Sequence, residues 1–163
     1  MSAAARQRGF TFIEVMIAII IAALIVAGLN GFVMTGLDAK ASVRQTNELI
    51  YQGGFAMERM IAVARATPQK LLSAPTLANS TGDWFAPTMY CLNGGNQLVE
   101  TTVTDTSCTG STTIASNVVA ISAQLPAGAG PVDDPVGTIT LTLQSGAATV
   151  VLSSTFRLGG GTL

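Results

Sequence analysis

From Phe10 to Leu37 the chain runs for 28 residues with a single ionisable side chain, Glu14, five residues into the run. A helix rises 1.5 Å per residue, so the 20 residues from Phe10 to Leu29 are enough to cross a hydrocarbon core of about 30 Å. Beyond Leu37 polar positions enter, but a helical period persists. Val43, Ile50, Met57, Ile61 and Ala64 recur at spacings of seven, seven, four and three, which predicts one apolar stripe. Arg44 and Glu48 are placed to pair at i, i+4 on the other side. The residue before a proline is pushed out of the α region, so Ala66-Thr67-Pro68 ends the pattern. Phe10 to about Ala66 is then one helix of roughly 85 Å. Gly28, Gly31, Gly36 and the Gly53-Gly54 pair each cost about 1 kcal/mol relative to alanine, which predicts local loosening at those positions.

After Pro68 the period changes. Pro75, Gly82, Pro87 and Gly94-Gly95 mark a loop-rich connection, with Trp84 and Phe85 as candidate core anchors. Val119, Ile121, Ala123 and Leu125 alternate with Ala120, Ser122 and Gln124, the pattern of a half-buried strand. Residues 126–135 break it. Ile139, Leu141 and Leu143 then alternate with threonines, and a turn around Ser145-Gly146 leads to Val150, Leu152 and Phe156, predicting a C-terminal β-hairpin. Gly159 to Gly161 read as a loose tail. The fold class is therefore α+β: a long N-terminal helix, apolar and membrane-spanning in its first half, packed by its second half on a small antiparallel β-sheet domain. The expected divisions are 1–9, 10–37, 38–66 and 67–163.

An isolated carboxylate in a membrane helix costs about 2.5–3.5 kcal/mol on insertion scales, so Glu14 calls for a partner and a role. It stands in a specific setting: a short basic leader with Arg6 and Arg8, then Gly9, Phe10, and the acid four residues on. This arrangement resembles the class III signal of type IV pilins and of type II secretion pseudopilins. The resemblance is dense over the first 30 residues and loose afterwards. It implies cleavage of the leader 1–9 by a prepilin peptidase between Gly9 and Phe10, N-methylation of Phe10, and an assembly role for Glu14. Two other readings compete. An ordinary secretory signal has an apolar core of about 7–15 residues followed by a small-residue cleavage site; here the run is longer and Val26-Ala27-Gly28 is a poor site. A plain single-span anchor is physically sound but leaves Glu14 and the Gly9-Phe10 junction unexplained. Many major pilins carry a proline near the place of Gly31, whereas this chain has none before Pro68.

Charge sets the orientation. Arg6 and Arg8 precede the span, and the next charges after it, Asp38 and Lys40, cancel. The positive-inside rule keeps the N-terminus cytoplasmic and exports the chain from about Asn30 onward. The only cysteines, Cys91 and Cys108, both fall in the exported part, where disulfides persist, and two cysteines offer one intramolecular pairing. Two unrelated buried thiols are the alternative; a metal site is poorer, since there is no histidine and two thiolates do not complete a tetrahedron. Without the leader, six Lys and Arg face nine Asp and Glu, which gives no general pull towards nucleic acid or anionic lipid.

Catalysis finds little footing. Without histidine the common general base and the usual Ser-His and Cys-His pairs are excluded. Asp133-Asp134 is the only local acidic cluster that could begin a calcium site like those of some major pseudopilins, but calcium takes six to eight oxygens and a solvated turn is the default. Lys40, Arg44, Arg59 and Arg65 are spread along a helix as its solvated or intersubunit face, without the interleaved aromatics of a DNA-binding surface. No cofactor, metal or nucleic-acid partner is expected, and the chain is not expected to be an enzyme. The expected function is that of a minor pilin-like structural subunit that enters or primes a type IV pilus, with the prepilin peptidase, other pilin or pseudopilin subunits and the inner membrane as partners. The minor-subunit preference rests on Phe55-Ala56-Met57-Glu58-Arg59-Met60 and Ser153-Ser154-Thr155-Phe156-Arg157-Leu158, which look like segments of low-abundance pilins. A minor pseudopilin of a type II secretion system and a membrane-anchored extracytoplasmic binding protein or adhesin are the alternatives. The expected location is the bacterial inner membrane with a periplasmic head, then a cell-surface pilus or periplasmic pseudopilus.

Overall fold

The computed structural model describes residues 11–126, 136–159 and 161–162. Among the described residues one helix, α1 (Phe12–Ala66), is followed by seven strands. Strands β1 (Thr88–Leu92), β2 (Leu98–Thr102) and β3 (Thr112–Ala115) form one antiparallel sheet. Strands β4 (Val118–Gln124), β5 (Val136–Ser145), β6 (Ala148–Arg157) and β7 (Gly161–Thr162) form a second, in sequential order. The fold is α+β, as the pattern predicts, with two small sheets where one was expected. The chain divides into two compact units, Met1–Ala41 and Ser42–Leu163.

In the second unit the helix buries Leu49, Gly53, Ala56, Met57, Met60 and Ala64. This corrects the expected stripe. Met57 and Ala64 belong to it, but Val43 is 59% exposed, Ile50 is 48% exposed, and Ile61 is only half-buried. Large side chains suggested the wrong phase because the buried seam runs through small ones. At Gly53 an added Cβ would lie 2.5 Å from Leu152 Cδ1 and 2.9 Å from Leu143 Cδ1, so the missing side chain is what lets helix and sheet approach. α1 runs unbroken through the glycines where loosening was expected. Glu48 accepts a hydrogen bond from Gln52 Nε2 at 2.7 Å, in place of the expected pairing with Arg44. The helix ends at Ala66, where the Thr67 N–H and hydroxyl both donate to the Val63 carbonyl.

The predicted hairpin is present. β5 and β6 pair without interruption from Val136↔Arg157 to Ser145↔Ala148, joined by Gly146-Ala147. Ile139, Leu141 and Leu143 are buried, and Val150 and Leu152 pack against the same core from β6. Trp84 and Phe85 are core anchors, both essentially inaccessible. Gly137 opens the space the Trp84 ring fills, opposite Phe156, which meets the indole edge-on at 6.2 Å between centroids. Trp84 Nε1 donates to the Ser73 carbonyl at 2.7 Å, so the ring's one polar atom is satisfied.

In β4 the expected phase is corrected at the strand's start. Val118, not Val119, is fully buried, because the pairing with β5 slips between Val118 and Ala120. A bulge of this kind puts two residues opposite one and turns the following side chains over; Ile121 is buried and Ala123 and Leu125 pack on the core as expected. The first sheet lies partly within the stretch read as loop. Asn93, Gly94, Gly95, Asn96 and Gln97 are the turn of a β1–β2 hairpin, with Leu92 opposite Leu98. The Asn93 carboxamide oxygen holds that turn by accepting from the N–H groups of Gly95 and Gln97.

Candidate functional site

The first unit offers the segment on which function was expected to rest. Every residue from Thr11 to Ala41 is exposed. Phe12 is 82% exposed and Leu24 69%, and an 18-residue window of this helix has a mean hydropathy of 2.8. Among the described residues this is one helix long and apolar enough to cross a membrane. Apolar surface left in water costs about 25 cal/mol per Å², so a run of this length requires lipid or apolar neighbours. Thr35 donates its hydroxyl to the Gly31 carbonyl at 3.0 Å, so this polar group needs no outside partner in an apolar medium.

Glu14 stands in the first turn of α1. The carbonyl of Thr11 accepts from Glu14 N at 3.1 Å and Val15 N at 3.3 Å, which makes Thr11 the N-cap and Glu14 the third helical residue. Thr-x-x-Glu is the spacing of a capping box, and a carboxylate there faces the positive end of the helix dipole. This local reason for an acid at position 14 was readable in the sequence and missed. Glu14 also lines an open groove with Val15, Ala18, Ile19 and Ala22, in which the small side chains of Ala18 and Ala22 leave room for a second helix to approach. The Gly9-Phe10 junction, the Phe10 amine, the leader arginines and Asp133-Asp134 lie outside the described residues.

A polar group in the second unit was also missed. Arg59 is exposed, as expected of the helix's solvated face, and its guanidinium also grips Glu100 with two bonds of 2.9 Å, Nε to Oε2 and Nη2 to Oε1. The buried Tyr90 donates its phenol to the same Oε2 at 3.1 Å. Hydrogen bonding from Arg59 holds the Glu100 carboxyl below the ordinary glutamate range, and burial, reinforced by the Glu100 charge, pushes the Tyr90 phenol up. The cluster ties helix α1 to β2. Its charges are internally matched and it presents no free base or nucleophile.

Cys91 and Cys108 form the expected disulfide, with Cα atoms 5.9 Å apart. Cys91 lies in β1, and Cys108 sits at φ 53° in a loop organised by Asp105. Asp105 Oδ2 accepts from Thr109 N at 2.8 Å, Gly110 N at 2.9 Å and the Thr101 hydroxyl at 2.9 Å. Those bonds, led by the Thr109 N–H, lower its pKa.

Comparison with known proteins locates the resemblance in the first unit. The family model described as the prokaryotic N-terminal methylation motif matches residues 4–30. Residues 4–30 are a prokaryotic N-terminal methylation motif. This match, continued by the long apolar helix, fits a type IV pilin-like or pseudopilin-like precursor anchored in a membrane. No curated protein and no solved structure matches the chain.

Proposed function

We propose that the chain is a minor pilin-like structural subunit. A prepilin peptidase cleaves it between Gly9 and Phe10, Phe10 is N-methylated, and the product enters or primes a type IV pilus. The carrying observation is that a methylation motif leads directly into a helix whose apolar side chains find no cover within their own unit. Before assembly the lipid of the inner membrane covers them, with the head unit in the periplasm; in the filament, the helices of neighbouring subunits do. The contribution is structural and not catalytic. Once Phe10 is the terminus, a positive amine stands four residues before Glu14 in the chain. In a water-excluded bundle the attraction between Glu14 and the amine of a neighbour strengthens. Desolvation offsets that gain, so the pair sets axial register more than it adds stability.

The test compares wild type and Glu14→Ala in membrane and sheared-filament fractions, with mass analysis of the mature N-terminus. The expected result is a start at methylated Phe10 in both, normal insertion, and reduced incorporation of the variant. A mature start between Ala23 and Gly31, or equal incorporation, overturns the proposal.

A further inference from the structure

The sequence holds two Asn-Gly pairs, Asn30-Gly31 and Asn93-Gly94. Such a pair carries its own chemistry. The glycine nitrogen can close onto the asparagine Cγ to form a succinimide ring, and glycine has no Cβ to hinder the approach. Whether the ring closes depends on where the asparagine side chain lies. Asn30 is inside α1, where side chains lean back towards the helix N-terminus, away from the peptide that follows, and the Gly31 N–H belongs to the helix ladder. Asn93 is in the β1–β2 turn, with Gly94 exposed beside it.

The bonds around Asn93 prepare that closure. Its Oδ1 accepts from Gly95 N at 2.9 Å and from Gln97 N at 3.1 Å, and its Nδ2 donates to Gln97 Oε1 at 2.9 Å. A side-chain oxygen bonded to the N–H two residues on makes an Asx turn, which folds the side chain along the following peptide and lays Cγ beside Gly94 N. The same two N–H groups face the oxygen on which charge develops when Cγ is attacked, which is the arrangement of an oxyanion hole. The Gly94 N–H donates to no group among the described residues, so no acceptor in the turn competes for its proton. We infer that Asn93-Gly94 is a self-modification site, where the turn converts its own asparagine to aspartate or isoaspartate with water as the co-reactant.

Hydroxide takes the Gly94 N–H proton, and the nitrogen pair forms a bond to Asn93 Cγ while the Cγ–Oδ1 π pair moves onto Oδ1. The oxyanion collapses, the Cγ–Nδ2 bond breaks, and Nδ2 takes a proton from water and leaves as ammonia. Water then opens the ring at Cγ to give aspartate, or at the main-chain carbonyl carbon to give isoaspartate. The broken bond returns its pair to the Gly94 nitrogen, which regains a proton. The net change turns an amide and a water into a carboxylic acid and ammonia. Aspartate keeps the Oδ1 bonds and puts a negative charge on a turn that has none. Isoaspartate adds a methylene to the main chain of a turn whose Asn96 carbonyl accepts from Val118 N at 2.9 Å, so it strains the tie between this turn and β4. The site belongs to the head unit alone and does not depend on the pilin reading.

The experiment incubates the purified full chain in detergent micelles at mildly alkaline pH and follows both Asn-Gly pairs by peptide mass mapping, with isoaspartate content as a second readout. The same mapping on urea-unfolded chain gives the rate without the turn. Folded Asn93 is expected to convert at least as fast as unfolded Asn93, and about tenfold or more faster than folded Asn30. A Cβ added at Gly94 meets nothing within 4 Å and its φ is not left-handed, so Gly94→Ala keeps the turn. This variant is expected to slow conversion of Asn93 about tenfold or more and to leave Asn30 unchanged. Slower conversion of Asn93 in the folded than in the unfolded chain means that the turn protects it, and overturns the site. Folded Asn93 no faster than folded Asn30, or Gly94→Ala converting at the wild-type rate, overturns it as well.

Discussion

Residues 12–41 and 42–66 belong to one helix, but they are helical for different reasons. In the second stretch Leu49, Ala56, Met60 and Ala64 disappear beneath two sheets, and the backbone follows its buried stripe. In the first stretch no side chain is buried, and Ile, Leu, Val, Phe and Met residues occur all round. A helix apolar on every side is a helix meant for a medium with no polar face to turn towards. The contrast separates what the chain stabilises by itself from what it leaves to lipid or to neighbours. Substitutions of equal chemistry should have unequal effects in the two stretches.

The largest contrast lies between Leu141→Ala and Leu24→Ala. Leu141 is fully buried, so its truncation should destabilise the head by about 2–5 kcal/mol. Leu24 is exposed, and its truncation should leave head unfolding unchanged while weakening membrane partition. Urea unfolding followed by Trp84 emission reads the first effect cleanly, because Trp84 is the chain's one tryptophan and is buried. Next comes the disulfide. Replacing Cys91 and Cys108 by serine should cost the head about 3 kcal/mol and leave insertion intact; unfolding midpoints beside a membrane flotation assay test both halves of the statement. Free, alkylatable thiols in purified wild type would contradict the bridge.

Glycines give a third comparison. Gly53→Val must displace Leu152 and Leu143 and should destabilise the head by about 1–3 kcal/mol. Gly31 has nothing within 4 Å, so Gly31→Ala should strengthen the helix by about 1 kcal/mol and leave the head's midpoint where it was. Circular dichroism together with Trp84 emission distinguishes the two. The smallest effect is one of pH. Glu100 titrates below its unfolded value, so its contribution is fully present above the ordinary glutamate pKa of about 4.3 and is lost as pH falls through the lower folded value. Glu100→Gln should flatten the acid limb of a stability–pH curve and leave its shape near neutrality unchanged. An unaltered acid limb would mean that the grip of Arg59 on Glu100 does not persist in solution.

The features written in regular periods were legible in the sequence: the apolar run, the helix end before Pro68, the β5–β6 hairpin, and Trp84 and Phe85 as anchors. What escaped depended on small or polar residues acting over distance. The helix seam was misphased because Gly53 and Ala56 carry it, and no hydrophobicity pattern marks a residue chosen for lacking a side chain. Val118 and Val119 exchanged places through a bulge. The β1–β2 hairpin was signalled by Asn93-Gly94-Gly95-Asn96, a turn read as mere interruption. Arg59 and Glu100 stand 41 residues apart, and nothing local links them. At the candidate site, Thr11 and Glu14 carried a capping signal that the stronger resemblance overshadowed.

Asp105 has a consequence for how the loop around Cys108 is held. Its carboxylate gathers the backbone of Thr109 and Gly110 around Cys108 by bonds that need no sulfur chemistry. These bonds frame the loop independently of the bond between the sulfurs. A frame that brings two reactive groups together raises their effective concentration, and this loop carries such a frame beside Cys108. The carboxylate works as a jig for this loop, and the covalent bond fastens the same geometry a second time.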